Sequence, residues 1–292
     1  MNPTIPGPAI MPSQPLPFDP VPAPLDHEIE PLLSERFASA WAAHDASARS
    51  ARRSVRGKLL DRLLASHAAS STMFTARQRR LAAVELAPGV LARTLYTAGT
   101  DRPLRPGEPM RVRLVELLAG ARWTGPSPEH HREWLVLEGA VRMGQQRMVL
   151  RDYHAVPAGT GTLPVVGSEG GARLFLRESM LPAQAEAAAF TVRDDEAGWP
   201  EFAPGIRRRV LWQHGGQAAM LYHAQPGTSI PPHTHGHDEE CLMVQGELFL
   251  DDVLLQQGDY QLAPAGTCHH TTDTDTGVVI YAHGDFDLQF GA

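Results

Sequence analysis

Four side chains towards the C-terminal end of the sequence have the types and spacing of a metal site. His233 and His235 are two residues apart, so on an extended strand their side chains point to the same face. Glu239 opens the following strand, and His269 arrives on a strand brought in by the Gly/Pro turn at 264–266. Three imidazoles and one carboxylate that converge inside a barrel predict a mononuclear site for a divalent metal ion.

The residues around the carboxylate leave one alternative ligand open. Glu240 is the other candidate, although counting back seven residues from Gly246 favours Glu239. Cys241 and Met243 share the face of Glu239 through the strand period of two, so we expect both to line the cavity beside the metal. No further catalytic group is evident in the sequence.

The other metal-ligating side chains nearby have no place in this spacing. A histidine on a strand is more often packed or solvated than bound to a metal, and we expect this of His223, His237, His270 and His283. Cys268 adjoins a ligand but faces the other way on a strand, so we expect a structural role for it.

The elements that must position these residues are strands. After about residue 83 the sequence changes to short alternating runs separated by Gly, Pro and Asp, which is typical of a sandwich or barrel. The run at 85–89 returns at 201–205, and an offset of 107 then aligns four pairs without a gap: Gly120 with Gly227, Gly139 with Gly246, Pro157 with Pro264, and Gly159 with Gly266. Two copies of one all-β unit are predicted, over 83–189 and 190–292.

Two spaced motifs cover the second copy. The first is G-x5-H-x-H-x3-E-x6-G, starting at Gly227, and the second is G-x5-P-x-G-x2-H, starting at Gly258. Together they resemble the two motifs of the cupin superfamily, with Asp273 where that family usually has asparagine. The short connection at 247–257 looks like that of the ChrR-like cupins. The resemblance implies a bicupin, with two tandem double-stranded β-helix jelly-roll barrels after a short helical region.

The first copy lacks the metal ligands. The offset of 107 places Pro126, Pro128, Arg132 and Thr162 at the four ligand positions, and this set does not bind a divalent cation as cupin ligands do. Trp134 falls on the inward face and would plug the barrel. We therefore expect a degenerate, metal-free barrel that serves as partner to the second.

Polar residues of the first copy allow two other interpretations. Arg132 would suit an anionic ligand, but an unpaired buried guanidinium is expensive, so we expect it to pair with a nearby carboxylate. His130, His131 and Glu133 lie close enough in sequence to improvise a metal site, which is the less favoured interpretation.

The first 82 residues differ from the rest in proline content and in the spacing of apolar residues. Residues 1–25 contain nine prolines, which predicts a disordered or extended tail. Leu33, Phe37 and Trp41 recur every four residues, and this spacing predicts short helices, so we place a helical region at 26–82.

The predicted helices depart from the anti-sigma domain that ChrR carries. The zinc site of that domain depends on a histidine followed by a C-x2-C pair. Here His44 is followed by Ala48 and Ala51, and no cysteine precedes Cys241, so that zinc site is absent. We expect the helices to pack against the first barrel, with binding of a protein partner as the alternative.

Composition excludes several classes of protein. With 42% hydrophobic and 20% charged residues the chain of 292 residues is globular, and its net charge of −7 argues against nucleic-acid binding. Two cysteines exclude a disulfide-stapled scaffold. No run approaches the ~20 apolar residues that span a bilayer, and no secretion signal is evident. We expect a cytoplasmic protein without nucleic-acid or membrane partners, and the sequence leaves its oligomeric state open.

Two functions fit the predicted site, with one divalent ion per chain. Zinc is usually four-coordinate, so the four ligands would fill its sphere, which favours the sensor or regulatory site that the ChrR resemblance implies. Iron, manganese or nickel would keep open positions, which favours a non-haem dioxygenase acting on a small molecule in the second barrel. Zinc and iron are the preferred ions, and the sequence leaves enzymatic activity undecided.

Overall fold

The structure is a computed structural model. It describes residue 64 and residues 72–159, 165–180 and 188–290. The predicted tail 1–25 and most of the predicted helical region lie outside these residues. None of the helices described is long and apolar enough to cross a membrane.

The described chain is almost entirely β-structure, which confirms the predicted all-β character. The strands before residue 188 are β1 Phe74–Ala76, β2 Val84–Ala87, β3 Val90–Thr97, β4 Pro109–Leu117, β5 Arg122–Trp123, β6 His131–Met143, β7 Gln146–Val149, β8 Tyr153–Val156, β9 Val166–Gly167 and β10 Ala172–Ser179. The strands after it are β11 Phe190–Val192, β12 Glu201–Ala203, β13 Ile206–His214, β14 Gln217–Ala224, β15 Thr228–Ile230, β16 His233–Thr234, β17 Glu239–Leu250, β18 Val253–Gln256, β19 Tyr260–Ala263, β20 Cys268–His269, β21 Thr272–Thr274, β22 Val278–Asp285 and β23 Gln289–Phe290. A 3-10 turn at Gln78–Arg80 and a helix α1 at Asp194–Ala197 complete the elements.

Each sequence repeat builds one large antiparallel sheet. The first has the order β2-β3-β4-β10-β6-β8-β11, with β5, β7 and β9 attached to it. The second has the order β12-β13-β14-β22-β17-β19-β1, with β15, β18 and β21 attached, and β20, β16 and β23 form a small separate sheet. We call the structure formed by β2–β10 the first barrel and the structure formed by β12–β23 the second barrel.

The two barrels exchange one strand each. Strand β1 precedes the first barrel in sequence but pairs with β19 of the second, with Phe74 opposite Leu262. Strand β11 precedes the second barrel but pairs with β8 of the first, with Phe190 opposite Ala155. The exchanged strands read Phe-Thr-Ala and Phe-Thr-Val, so the internal repeat extends to them.

Strand β1 corrects the predicted extent of the N-terminal helices. Residues 74–76 fall within the region 26–82 that was predicted to be helical, yet they are extended. Three residues are too few to show either period, so the sequence pattern carries no signal here. The strand is instead stabilised by a distant partner: Gln261 donates to Thr75 Oγ1 at 3.2 Å, and Arg77 Nη1 lies 2.9 Å from Asp259 Oδ2.

Buried apolar side chains form three clusters. One fills the first barrel and includes Trp134, and one fills the second barrel and includes Cys241 and Met243. A third lies between the barrels and includes Tyr153 and Tyr260. Because side chains alternate along a strand, each long central strand contributes one face to a barrel interior and the other to this shared core.

Charged side chains are also buried between the barrels. Arg177 is fully buried and donates from Nη1 to Glu133 Oε1 at 2.8 Å and from Nε to Glu240 Oε1 at 2.7 Å. The hydroxyls of Tyr153 and Tyr260 donate to Glu133 and Glu240 at 2.7 and 2.8 Å. These five residues form what we call the interface ion cluster. Pairing of this kind is what makes buried charges tolerable.

A glycine allows the central strand of each barrel to bend. Gly246 in β17 has a φ of 78°, and a Cβ there would lie 2.2 Å from the carbonyl oxygen of Gly277. Gly139 in β6 has a φ of 72°, and a Cβ there would lie 2.3 Å from the carbonyl oxygen of Gly171. Only glycine accommodates both the left-handed backbone and the close approach, so these two aligned glycines have the same structural role in both barrels.

Candidate metal centre

Short elements position the three predicted histidine ligands. Strand β16 carries His233, and its antiparallel partner β20 places His269 directly opposite. His235 follows β16 in a turn: its amide donates to the Thr267 carbonyl at 3.1 Å, and its carbonyl accepts from the Gly266 amide at 2.7 Å. The predicted Gly/Pro turn therefore holds one histidine by backbone bonds and leads directly to another.

The three imidazoles and Glu239 come together in one buried place. The ring centroids of His233 and His235 are 5.2 Å apart, those of His233 and His269 5.6 Å, and those of His235 and His269 5.0 Å. Donor atoms of His233, His235 and Glu239 all lie within 4.8 Å of one another. His269 is outside this tightest group, although its ring adjoins both other rings. All three histidines are at most 3% exposed.

Two of the rings are oriented through their Nδ1 atoms. His233 Nδ1 lies 3.1 Å from the carbonyl oxygen of Pro231, and His269 Nδ1 lies 3.3 Å from Asp251 Oδ2. Histidines that bind metals commonly engage a carbonyl or carboxylate in this way, which fixes the tautomer and the direction of the other ring nitrogen. Both rings therefore have the Nδ1 contact that metal-binding histidines commonly make.

One buried nitrogen without a hydrogen-bond partner indicates that the site suits a cation. His235 Nε2 is buried and has no hydrogen-bond partner among the described residues, while its Nδ1 pairs with the Glu239 carboxylate. A buried polar atom without a partner costs about 1–3 kcal/mol, and a coordinated cation would remove that cost. A donor set of imidazole nitrogens and one carboxylate suits zinc, iron, manganese or nickel.

The electrostatics of the site favour the protonation state that coordination needs at Glu239 and His233, and oppose it at His235. Burial raises the pKa of Glu239, but the hydrogen bond and charge of His235 outweigh it and hold the pKa at about 2, so the carboxylate is ionised. Burial lowers the pKa of His233, which favours the neutral ring. Burial also acts to lower the pKa of His235, yet its bond to Glu239 raises it overall. Metal binding would release that proton.

Glu239 rather than Glu240 faces the histidines. The two are adjacent on β17, so their side chains point to opposite faces. Glu240 belongs to the interface ion cluster, where Arg177 and Tyr260 each engage one of its oxygens. The alternative ligand therefore lies on the side of the strand away from the imidazoles.

A small cavity of about 40 Å³ adjoins the ligands. Its walls include His233, Glu239 and Cys241 and are otherwise mostly apolar, and its size admits only one or two water-sized molecules. Met243 packs in the same core cluster but does not line the cavity, so that half of the prediction was wrong. Burial raises the pKa of Cys241, which keeps it a neutral thiol. Cys268 is half-buried outside the cavity.

Comparison with protein families supports this interpretation of the second barrel. Residues 187–287 match the family model described as the ChrR Cupin-like domain. This segment is a ChrR cupin-like domain. It contains all four predicted ligands, and we refer to it below as the cupin domain. A comparison with curated proteins gave no match.

Solved structures with the same fold cover most of both chains at low identity. The bacterial pirin YhhW of Escherichia coli, in complex with nickel(II), is 10% identical over 75% of this chain and 100% of its own, with a TM-score of 0.56. Escherichia coli Ylba is 14% identical over 73% and 90%, with a TM-score of 0.57. A mutant of Bacillus subtilis oxalate decarboxylase is 16% identical over 75% and 78%, with a TM-score of 0.53. At identities this low, the similarity shows a shared fold and gives no information about function.

Asp251 is a site residue of the cupin domain that sequence reasoning missed. It lies in the tight turn between β17 and β18 with a φ of 53°, and two backbone amides donate to its Oδ1. The Asp251-Asp252 pair is a recognisable turn signal, since aspartate tolerates this conformation. That the turn folds back onto His269 depends on the tertiary structure, and the motif spacing does not reveal it.

The remaining histidines occupy other surroundings. His223 and His283 pack against tryptophan rings, with centroids 5.7 and 5.9 Å apart. His237 pairs with Asp285, and His270 is exposed. None of these belongs to the donor group of the cupin domain.

The first barrel holds no comparable donor group among its described residues. Pro126 and Pro128 stand at two of the ligand positions, and Thr162 lies outside the described residues. Trp134 is buried in the barrel interior, edge-to-face with Trp123 at 5.8 Å. The side chain predicted to plug this barrel is thus in its core.

Arg132 differs from its prediction. It is fully buried, and none of its three guanidinium nitrogens has a hydrogen-bond partner among the described residues. The predicted carboxylate partner is wrong because neighbouring Glu133 points to the other face of β6, where Arg177 binds it. His131 lies 3.7 Å from Glu133 on that other face, and His130 takes part in no donor group, so no improvised metal site forms among the described residues.

Proposed function

We propose that the cupin domain binds one divalent metal ion through His233, His235, Glu239 and His269 and acts as a metal-dependent regulatory module. The observation that carries the proposal is the convergence of three buried imidazoles and an ionised carboxylate, together with the buried His235 Nε2, which has no hydrogen-bond partner among the described residues. Burial of this many donors is costly unless a cation binds them. When bound, a divalent ion would polarise an oxygen ligand or lock the four side chains in one arrangement.

The regulatory role is supported by a direct connection between the cupin domain and the chain that precedes the first barrel. Strand β1 pairs with β19, and the backbone amide of Gln78 donates to Asp259 Oδ1 at 3.0 Å. Strand β19 leads into the Gly/Pro turn, which holds His235 by backbone hydrogen bonds and continues to His269. A change in metal occupancy would therefore act on the strand that holds the N-terminal segment, which is where a protein partner would bind in the regulator that the ChrR-like family suggests.

Metal content tests the site itself. We expect about one zinc ion per chain in untagged protein purified without chelators, measured by elemental analysis. His233→Ala and His269→Ala should each lose the ion. His223→Ala is the matched control, because His223 is exposed on β14 and should keep it. Stoichiometric metal in both ligand variants would contradict the proposal.

A second function has one observation in its favour. The cavity of about 40 Å³ beside Glu239 leaves room for an oxygen-sized molecule next to the predicted ligands. A non-haem dioxygenase would use that space for oxygen, and the cavity would have to widen to hold a small dicarbonyl or aromatic compound. Oxygen consumption by iron-loaded protein, lost in His233→Ala, would favour the enzyme. Metal-dependent capture of a partner by the full chain without oxygen consumption would favour the regulator.

A further inference from the structure

Arg132 occupies in the first barrel the place that Glu239 occupies in the second. The two are separated by the repeat offset of 107, and each lies near the start of the long central strand of its barrel. Along β6, Arg132 alternates with Glu133 and shares its face with Trp134, which is part of the barrel interior. One repeat therefore directs a carboxylate into its barrel, and the other directs a guanidinium.

No carboxylate among the described residues neutralises this guanidinium. Its cross-strand neighbour is Glu178 on β10, which is fully buried. Both oxygens of Glu178 are already occupied: Arg111 donates to both at 2.8 and 3.0 Å, and Arg113 donates to Oε2 at 2.8 Å. Of the three arginines around this carboxylate, Arg132 is the one without a hydrogen bond to any described residue.

A buried cation without a counter-charge is expensive, because burial removes its hydration and nothing replaces it. Apolar side chains of the same volume would fill the position more favourably. The geometry points to a different solution: we propose that Arg132 binds a small monocarboxylate inside the first barrel. The carboxylate would supply the two acceptors that a guanidinium fork engages.

The surroundings decide the class of anion. Trp134 and Val156 flank Arg132 on its own face and on β8, so the surroundings of the guanidinium are apolar apart from the arginines and Glu178. A singly charged carboxylate with a short apolar body loses less hydration here than a phosphate or sulfate dianion does. The interior is otherwise filled by the packed cluster that includes Trp134, which limits the ligand to a few atoms.

The test uses the full chain stripped of metal, with sodium acetate as the probe and sodium chloride at equal ionic strength as the reference. Acetate should raise the melting temperature of wild-type protein by about 2–4 °C near saturation. The metal-site variant His233→Ala should respond equally, which separates this site from the cupin domain. Arg132→Met should lose the response, and without acetate it should melt no lower than the wild type, since it removes an unpaired buried charge.

Calorimetric titration with acetate gives a second readout that does not depend on Arg132→Met folding. Arg132→Lys keeps the charge but loses the planar fork, so its affinity should fall by about tenfold or more from the single wild-type site per chain. Sodium phosphate should bind more weakly than acetate. Equal acetate responses in wild type and Arg132→Met, or no acetate binding by the wild type, would overturn the proposal. A stronger response to phosphate would overturn the choice of a monocarboxylate.

Discussion

At the scale of single residues, adjacent positions on one strand face different parts of the molecule: the interior of the second barrel and the interface between the barrels. Glu239 and Glu240 have the same side chain and differ by one step along β17. The alternation of a strand sends the first towards the imidazoles and the second into the interface ion cluster. We therefore expect Glu239 to determine metal binding and Glu240 to contribute to the stability of the fold. Substitutions at the two positions should change these two properties separately.

Glutamine at each position provides the comparison. Glu239→Gln removes the anionic ligand, so the metal content should fall well below one ion per chain, and with both variants stripped of metal it should lower the free energy of unfolding by less than Glu240→Gln does. Glu240→Gln leaves Arg177 with one anionic partner instead of two, and the free energy of unfolding should fall by about 3 kcal/mol while the metal stays bound. Elemental analysis and urea unfolding measure the two effects. Loss of metal in Glu240→Gln with metal retained in Glu239→Gln would show that Glu240 is the ligand, which would contradict this assignment.

At the scale of elements, the glycine bends in the long central strands help to position the residues of the candidate metal site. Strand β17 carries Glu239 near the histidines and continues past Gly246 into the hairpin whose turn carries Asp251. Without the bend, Asp251 would not reach His269. The glycine of the first motif thus supports a contact made by a residue that lies outside both motifs.

Two glycines with the same backbone conformation test this point. Gly246 and Gly227 have φ values of 78° and 76°, but a Cβ meets Gly277 at the first and nothing within 4 Å at the second. Gly227→Ala should cost about 1 kcal/mol from the left-handed conformation alone. Gly246→Ala should cost about 1–3 kcal/mol more, because the backbone must shift. Equal losses in urea unfolding would show that the close approach does not matter.

Sequence reasoning succeeded where local spacing determines the structure. The all-β character, the repeat and the proximity of His233 to His235 depend on strand alternation and turn geometry, which motifs record directly. Sequence reasoning failed where the conformation or pairing of a residue depends on a partner far away in the sequence. Strand β1 is too short to have a period and exists because of β19. Arg132 was expected to find a carboxylate, but two other arginines already occupy Glu178, and no single-sequence pattern reveals that competition.

At the scale of the whole molecule, stability depends on charges enclosed between the barrels. His283 is buried there, with Nδ1 3.4 Å from Arg177 Nη2, its ring 4.0 Å from Glu133 and 3.9 Å from Glu240, and stacked on Trp212. Burial and the charge of Arg177 lower the pKa of His283 to about 3. Protonation of this ring is therefore coupled to unfolding, which removes it from this buried site.

The pH dependence of unfolding follows from this coupling. In the unfolded chain the pKa of a histidine is about 6.5, so between pH 6.5 and about 3 the unfolded state binds a proton that the native state does not. The free energy of unfolding should fall as the pH falls through this window, by up to about 1.4 kcal/mol per pH unit from this ring alone. Glu133, whose pKa Arg177 lowers to about 2 against the effect of burial, adds to the loss below about pH 4.5.

Metal-free wild type and His283→Gln, unfolded in urea at pH 7 and pH 5, measure the contribution. The variant should lose less stability between the two pH values, because it has no ring to protonate. The other buried histidines are common to both proteins and cancel in the difference. The same loss in both would mean that His283 does not hold its neutral form in the folded chain.

Because the two barrels exchange strands, the boundary of the family match differs from the boundary of a folding unit. The match begins at residue 187, after the whole of the first barrel. A fragment made to those limits would carry β11 without its acceptor β8, would leave the β19 edge open, and would expose the shared core. Open strand edges invite pairing with other chains. Each barrel thus relies on the other for one edge strand and for part of the shared core, so a fragment that holds a single barrel would lack a complete folding unit.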